Sequence, residues 1–203
     1  HSGCEASSMN TFQGIISLVL AGNAVIGLLV WFSNPKRRLN RYFFLTTCLI
    51  ALWQLCMFAI TLQSSDDLLF WTRQVSAAAG FLPIGFFILR KVILEPEITF
   101  LRLCHKLRYL LIAAFLVVLL CQTKFFVHAT YFPSSVETIP VSEYGPGFIP
   151  YILYFIVMAI GMVVSIPKIF KRTSGAQRTE GQFLLLGWLA SFSFGLILFT
   201  IAN

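Results

Sequence analysis

The chain has 203 residues, of which 58% are hydrophobic and 11% are charged, and its formal net charge is +7. Its mean hydropathy is +0.82. In an ordinary water-soluble domain about a quarter of the residues are charged, so the composition excludes that class of protein. The apolar residues run continuously instead of alternating, which excludes an outer-membrane barrel.

Six apolar segments are each long enough to cross a bilayer, which takes roughly 20 helical residues. They cover residues 12–32, 42–62, 68–94, 107–127, 148–170 and 182–203. We therefore predict an all-α, polytopic transmembrane helix bundle with six spans present. Residues 1–8 contain no apolar run and are interpreted as a tag or linker remnant, and residues 9–203 as one transmembrane domain.

The basic residues are concentrated in every second connection between the spans. Thirteen of the 15 lie between spans one and two, three and four, or five and six, and only Arg73 and Lys124 belong to the other half. Five of the eight acidic residues lie on the opposite side. Cytoplasmic loops carry an excess of Lys and Arg, so the N-terminus is predicted to lie outside. The same placement points to the lipid bilayer as the partner of these charges and not to nucleic acid.

The connections differ in character. Residues 95–106 are amphipathic, and we expect Ile98, Leu101 and Leu103 to lie on the membrane surface. Residues 171–180 are polar and predict a mobile loop. On the other side, the prolines and glycines of residues 128–147 argue against a helix.

No catalytic or metal-binding motif is present. The sequence contains no Gly-rich phosphate loop, no GxSxG, no HExxH and no Cys or His pair at metal-ligand spacing. All acidic residues fall in connections or in the N-terminal tail. We therefore predict no enzymatic activity, no cofactor and no metal within these residues.

Arg73 is the sharpest polar feature of the spans. It lies about one turn into the third span, next to Gln74. A guanidinium at this depth is costly unless it snorkels, pairs or faces a water-filled cavity. Two readings stay open: Arg73 reaches outward to the headgroups, or it lines an outward-opening pocket for an anionic or carbonyl-bearing ligand.

Four further residues are candidate walls of such a pocket. Trp53 and Gln54 lie near the middle of span two, and Tyr151 and Tyr154 begin span five. Gln54 has a competing reading as an interhelical hydrogen-bonding residue, which is the commoner role of Gln in a span. The two tyrosines have a competing reading as part of an aromatic belt.

Small residues and one proline mark close packing. Gly80 belongs to a small-residue run in span three, and Pro83 is expected to kink that helix. Gly187, Ser191 and Gly195 form a small ridge at intervals of four in span six. Both features are interpreted as packing within the chain, with a dimer seam as the alternative. They are also candidate articulation points.

Several landmarks occur in a fixed order along the spans. They are Asn34-Pro35-Lys36-Arg37-Arg38, Asn40-Arg41-Tyr42-Phe43, Trp53, Trp71, Gly80-Phe81-Leu82-Pro83, Phe87, Tyr144-Gly145-Pro146-Gly147, Gln177-Arg178 and Gln182. Together they resemble the N-terminal seven-helix sensor region of bacterial membrane-bound histidine kinases. The resemblance implies an inner-membrane location and a homodimer. It also implies a seventh span that leads to a cytoplasmic output domain, and this sequence contains neither that span nor that domain.

The function expected from this reading is signal sensing. A small or lipid-like ligand would bind in the outer half of the bundle and shift it between two packings. The full-length protein would then be a sensor histidine kinase, or a receptor in which the same sensor region is joined to a diguanylate cyclase or another output. The alternative is a small-solute transporter or permease, which predicts a polar path through the inner halves of the spans.

Overall fold

The computed structural model describes residues 2–62, 67–131, 141–172 and 174–201. Its helices are α1 (Ser2–Ser33), α2 (Arg38–Ile60), α3 (Leu68–Leu94), α4 (Phe100–Cys121), α5 (Phe148–Arg172) and α6 (Gly175–Ile201). Strands β1 (Val127–Tyr131) and β2 (Val141–Tyr144) form an antiparallel pair between α4 and α5. The all-α prediction is therefore confirmed, with one short hairpin added to it.

Five helical segments are long and apolar enough to cross a membrane. They are Gln13–Ser33, Arg38–Ile60, Leu68–Leu94, Phe100–Cys121 and Phe148–Ser165. The side chains of α6 from residue 190 onward lie outside the described part of the chain. The sixth span therefore stays a prediction, as does the side of the membrane on which the N-terminus lies.

Helix α3 lies at the centre of the bundle. Half of the residues in its most apolar stretch are buried, against 6% in α1, and it contacts α2, α4, α5, α6 and β1. Its small residues permit this position: a Cβ on Gly80 would lie 3.3 Å from Val117 Cγ1, and one on Gly85 would lie 2.7 Å from Thr46 Cγ2. The helix continues through Pro83, and the kink expected there stays a prediction.

Two predicted boundaries of the fourth span are wrong. Helix α4 begins at Phe100, and Ile98 and Leu103 are buried against Val92 and Leu107 instead of lying on the membrane surface. Only Leu101 matches that expectation, with 80% of its surface exposed. The helix also ends at Cys121, because the backbone turns after it, although apolar residues continue as far as residue 127.

The predicted mobile loop at residues 171–180 is also wrong. Helix α5 continues to Arg172 and α6 begins at Gly175, whose φ is +54°. Only glycine adopts this backbone conformation readily, which suits so tight a connection. The described polar residues of this segment therefore belong to the end of α5 and to the start and first turns of α6.

The three basic connections meet at one end of the bundle, called here the basic end. The Arg37 guanidinium lies 2.5 Å from the Glu180 carboxylate, and Arg38 Nη1 donates to the Ile98 carbonyl at 3.0 Å. Lys106 pairs with Glu95, and its hydrogen bond lowers the pKa of that carboxyl below the usual range. The opposite end, which carries β1 and β2, is called the hairpin end. The alternation of the helices between two ends agrees with the charge pattern of the sequence.

We predict that Gly27→Ala destabilises the bundle by about 1–3 kcal/mol, which is the usual range for overpacking a tight contact. A Cβ on Gly27 would lie 2.4 Å from Thr47 Oγ1, and that hydroxyl is held by the Phe44 carbonyl at 2.7 Å. The control is Gly22→Ala in the same helix, where a Cβ would meet nothing within 4 Å. Thermal unfolding midpoints in detergent should fall for the first variant only. Equal midpoints would contradict close packing of α1 on α2.

Candidate functional site

The hairpin end is built around a chain reversal after α4. Phe126 and Val127 are fully buried there, as is Cys121 at the end of α4. The returning strand closes on this turn through Gly145, whose N–H donates to the Phe126 carbonyl at 2.9 Å. A Cβ on Gly145 would lie 2.3 Å from the Phe125 carbonyl oxygen, so the close approach requires glycine.

An aromatic cluster covers this turn and continues along α5. Its members are Phe126, Tyr144, Phe148, Tyr151 and Phe155. The Tyr144 and Phe148 rings stack with centroids 4.2 Å apart, and the Phe126 and Tyr151 centroids are 4.9 Å apart. Desolvation raises the pKa of the Tyr144 hydroxyl, which lies in the hairpin, above its ordinary value.

Two tyrosine hydroxyls join α5 to the backbone of α3. Tyr154 donates to the Gly80 carbonyl at 2.9 Å, and Tyr151 donates to the Ser76 carbonyl at 3.2 Å. The two acceptors are four residues apart and so lie on one face of α3. Tyr154 is buried and Tyr151 is half-buried, so both predicted residues lie inside the bundle and not in a belt at its surface.

Arg73 points into the hairpin end. Its Nη2 donates to the Val127 carbonyl at 2.9 Å, which joins α3 to β1. Its Nε is buried and has no hydrogen-bond partner among the described residues. A buried donor without an acceptor typically costs about 1–3 kcal/mol, and more when it carries charge. Neighbouring Gln74 donates to Gln122 Oε1 at 3.0 Å, at the exposed edge of the same region.

The other two candidate residues lie elsewhere. Gln54 is buried on α2 and accepts from Asn23 Nδ2 at 3.4 Å, and Asn23 also donates to the Thr47 carbonyl at 3.0 Å. Gln54 therefore has the interhelical contact that its competing reading predicted. Trp53 is half-buried on α2. In the described part of the chain, no hydrogen bond or ring contact joins either residue to the aromatic cluster.

The candidate packing residues have different outcomes. Gly80 lies at the contact of α3 with α4 and supplies the carbonyl for Tyr154. A Cβ on Gly187 would meet no described atom within 4 Å, so α6 has room for a side chain at that point. The side chain of Ser191 and the surroundings of Gly195 lie outside the described residues, and the ridge stays a prediction.

The sequence reasoning missed Phe126 and Arg90. Phe126 was placed inside span four, but it is the buried centre of the aromatic cluster. Arg90 was grouped with the basic connection, but it lies in α3 with its guanidinium 5.1 Å from the Phe87 ring centroid and its Nε buried without a partner in the described structure. Its position inside the apolar segment 68–94 was the available signal.

Two cavities lie at the basic end. One of about 330 Å³ lies between the α1–α2 turn, the end of α3 and the start of α6, and another of about 400 Å³ lies between the first turns of α2 and α4. The described residues contain no group of three or more His, Cys, Asp or Glu side chains able to hold a metal ion.

We predict that Tyr154→Phe lowers the free energy of unfolding by about 1 kcal/mol, because it removes one buried hydrogen bond and leaves the ring in place. Tyr131→Phe is the matched control, since Tyr131 is exposed at the end of β1. Denaturation of both variants in the same detergent measures the difference. A Tyr154→Phe variant as stable as the control would show that the contact with α3 contributes nothing.

The comparisons with known proteins agree with this architecture. Residues 15–202 match the family described as the N-terminal 7TM region of histidine kinase. Neither the comparison with curated proteins nor that with solved structures gives a match. The family match covers nearly the whole chain, from α1 to the end of α6. This multi-pass membrane protein therefore belongs to the family of N-terminal seven-transmembrane regions of histidine kinases.

Proposed function

We propose that this chain is the membrane-embedded sensing domain of a histidine kinase-type receptor. A small or lipid-like ligand binds at the hairpin end, which faces the outside of the cytoplasmic membrane. Binding shifts the helix packing, and the shift passes to a cytoplasmic output domain beyond this sequence. The family match supports this reading over the alternative of a small-solute permease.

The observation that carries the ligand proposal is the incomplete pairing of Arg73. One guanidinium nitrogen donates to the Val127 carbonyl, while the buried Nε finds no acceptor among the described residues. No acidic residue is available within the spans to pair with this charge. A ligand with a carboxylate or carbonyl oxygen would supply the missing acceptor, and charge-assisted hydrogen bonds of this kind are the stronger ones.

The surroundings favour an amphiphilic ligand. Phe126, Phe148 and Tyr151 place aromatic rings between β1, α5 and the outer part of α3. Aromatic rings offer large apolar contact areas. The proposed ligand therefore has an apolar chain, which packs against these rings or moves them aside, and a polar head that reaches Arg73. Gln74 and Gln122 at the exposed edge supply further polar groups.

The proposed relay runs along α3. The tyrosine hydroxyls hold α5 on the carbonyls of Ser76 and Gly80, and the far end of the same helix carries Lys91 next to Glu95. A ligand that binds two packings of the bundle unequally shifts their populations by its differential affinity. Because α3 contacts α2, α4, α5 and α6, a change in how α5 lies on it alters contacts at the basic end.

We predict that decanoate, used as a probe of the proposed ligand class, raises the unfolding midpoint of the protein in nanodiscs. Ligands that bind only the folded state stabilise it by mass action. Arg73→Gln should weaken the response at least tenfold in decanoate concentration. Lys124→Gln removes a positive charge from the α4–β1 turn and should leave the response unchanged. Either no response in the native protein or an equal response of Arg73→Gln would contradict the proposed site.

We also predict that hairpin-end packing sets the basal output of the full-length receptor. Where only one of the two packings keeps the hydrogen bond of Tyr154 to the Gly80 carbonyl, Tyr154→Phe should change the autophosphorylation rate in nanodiscs by about fivefold, the equilibrium shift that about 1 kcal/mol produces. Tyr131→Phe should leave the rate unchanged. A folded Tyr154→Phe receptor with the native rate would contradict the relay, whatever the decanoate result.

A further inference from the structure

The larger cavity at the basic end lies where two helices begin. It holds about 400 Å³ and opens between α2 and the start of α4. Its lining consists of Arg38, Arg41, Tyr42, Leu45, Ile98, Thr99 and Phe100. Neither Asp nor Glu is among these lining residues. The cavity therefore combines two guanidinium groups, two hydroxyl groups and three apolar side chains.

The backbone adds to the positive character of this cavity. Helix α2 begins at Arg38 and α4 begins at Phe100, and neither helix has an acidic residue in its first turn or a side chain that caps its N-terminus. The N-terminal N–H groups of a helix carry partial positive charge and bind anions. Two such helix starts converge on the same cavity, together with the two arginines.

The arginines are oriented but not neutralised. Arg41 Nε donates to the Pro35 carbonyl at 2.7 Å, and its terminal nitrogens make no other protein hydrogen bond within the described structure. Arg38 Nη1 donates to the Ile98 carbonyl at 3.0 Å and lies 3.8 Å from Glu97, a carboxylate with 95% of its side chain exposed. Such an exposed pair is worth little. Both guanidinium groups therefore keep donors for an anion.

The apolar side of the cavity identifies the kind of anion. Leu45 and Phe100 are exposed, and both belong to segments of membrane-spanning hydropathy. An anion bound between the arginines would therefore carry its apolar part along these side chains into the hydrocarbon. Basic pockets between transmembrane helices are suited to anionic lipid headgroups.

We propose that Arg38 and Arg41, with the first turns of α2 and α4, bind the phosphodiester headgroup of an anionic phospholipid from the leaflet at the basic end. Tyr42 and Thr99 supply hydroxyl donors to the phosphate oxygens. The acyl chain lies along Leu45 and Phe100. This site is separate from the ligand site proposed at the hairpin end and does not depend on it.

The test is lipid retention measured by native mass spectrometry. The protein is released from detergent micelles that contain either phosphatidylglycerol or phosphatidylcholine. We expect selective retention of phosphatidylglycerol, and Arg41→Gln should weaken it about tenfold, which corresponds to about 1.4 kcal/mol. The matched control is Arg102→Gln, which removes the same charge from the first turn of α4 but does not line the cavity.

Three outcomes would overturn the proposal. Equal retention of both lipids would show no headgroup recognition. Equal weakening by Arg41→Gln and Arg102→Gln would show diffuse charge attraction instead of a site. Release of the bound lipid by millimolar inorganic phosphate would identify a soluble anion as the occupant.

Discussion

The bundle depends on α3, the helix that α2, α4, α5 and α6 all contact. Inside a bilayer, helices gain little by hiding apolar surface from each other, so close packing and internal hydrogen bonds must hold them together. Helix α3 meets this requirement with small residues that allow its neighbours to approach, as at Gly80 and Gly85. The same close approach brings the hydroxyls of Tyr151 and Tyr154 within reach of its backbone carbonyls.

The two ends of the bundle use polar groups differently. At the hairpin end, Arg73 and the tyrosines donate to backbone carbonyls inside the protein. A donor without an acceptor would destabilise the folded state there. At the basic end, charges pair in partly exposed positions, as between Arg37 and Glu180, where each pair contributes little stability. Within the described structure, the side-chain positions at the hairpin end are thus more strongly fixed by hydrogen bonds than those at the basic end. The basic end can rearrange its pairs at low cost, which suits the output side of the proposed sensor.

Five of the six predicted spans correspond to helical segments long and apolar enough to cross a membrane, because hydropathy alone decides which segments suit a bilayer. The end of α4 could not be predicted, since the apolar run continues through Phe125, Phe126 and Val127 while the backbone turns. The hydrogen bond of Gln54 could be predicted as one of two interpretations, because a buried amide in a bundle needs a partner. The partners of Tyr151 and Tyr154 were not foreseen, because carbonyl acceptors carry no sequence signal and depend on how each helix is rotated.

The central claim is that α3 couples the hairpin end to the basic end, and an interspin distance measures it most directly. Spin labels at Lys36→Cys and Gln177→Cys, in a background without the native cysteines, flank the smaller basic-end cavity. Electron paramagnetic resonance is then recorded with and without Tyr154→Phe at the opposite end. The account predicts that the substitution shifts or broadens the distance distribution. An unchanged distribution in a folded protein would contradict coupling through α3.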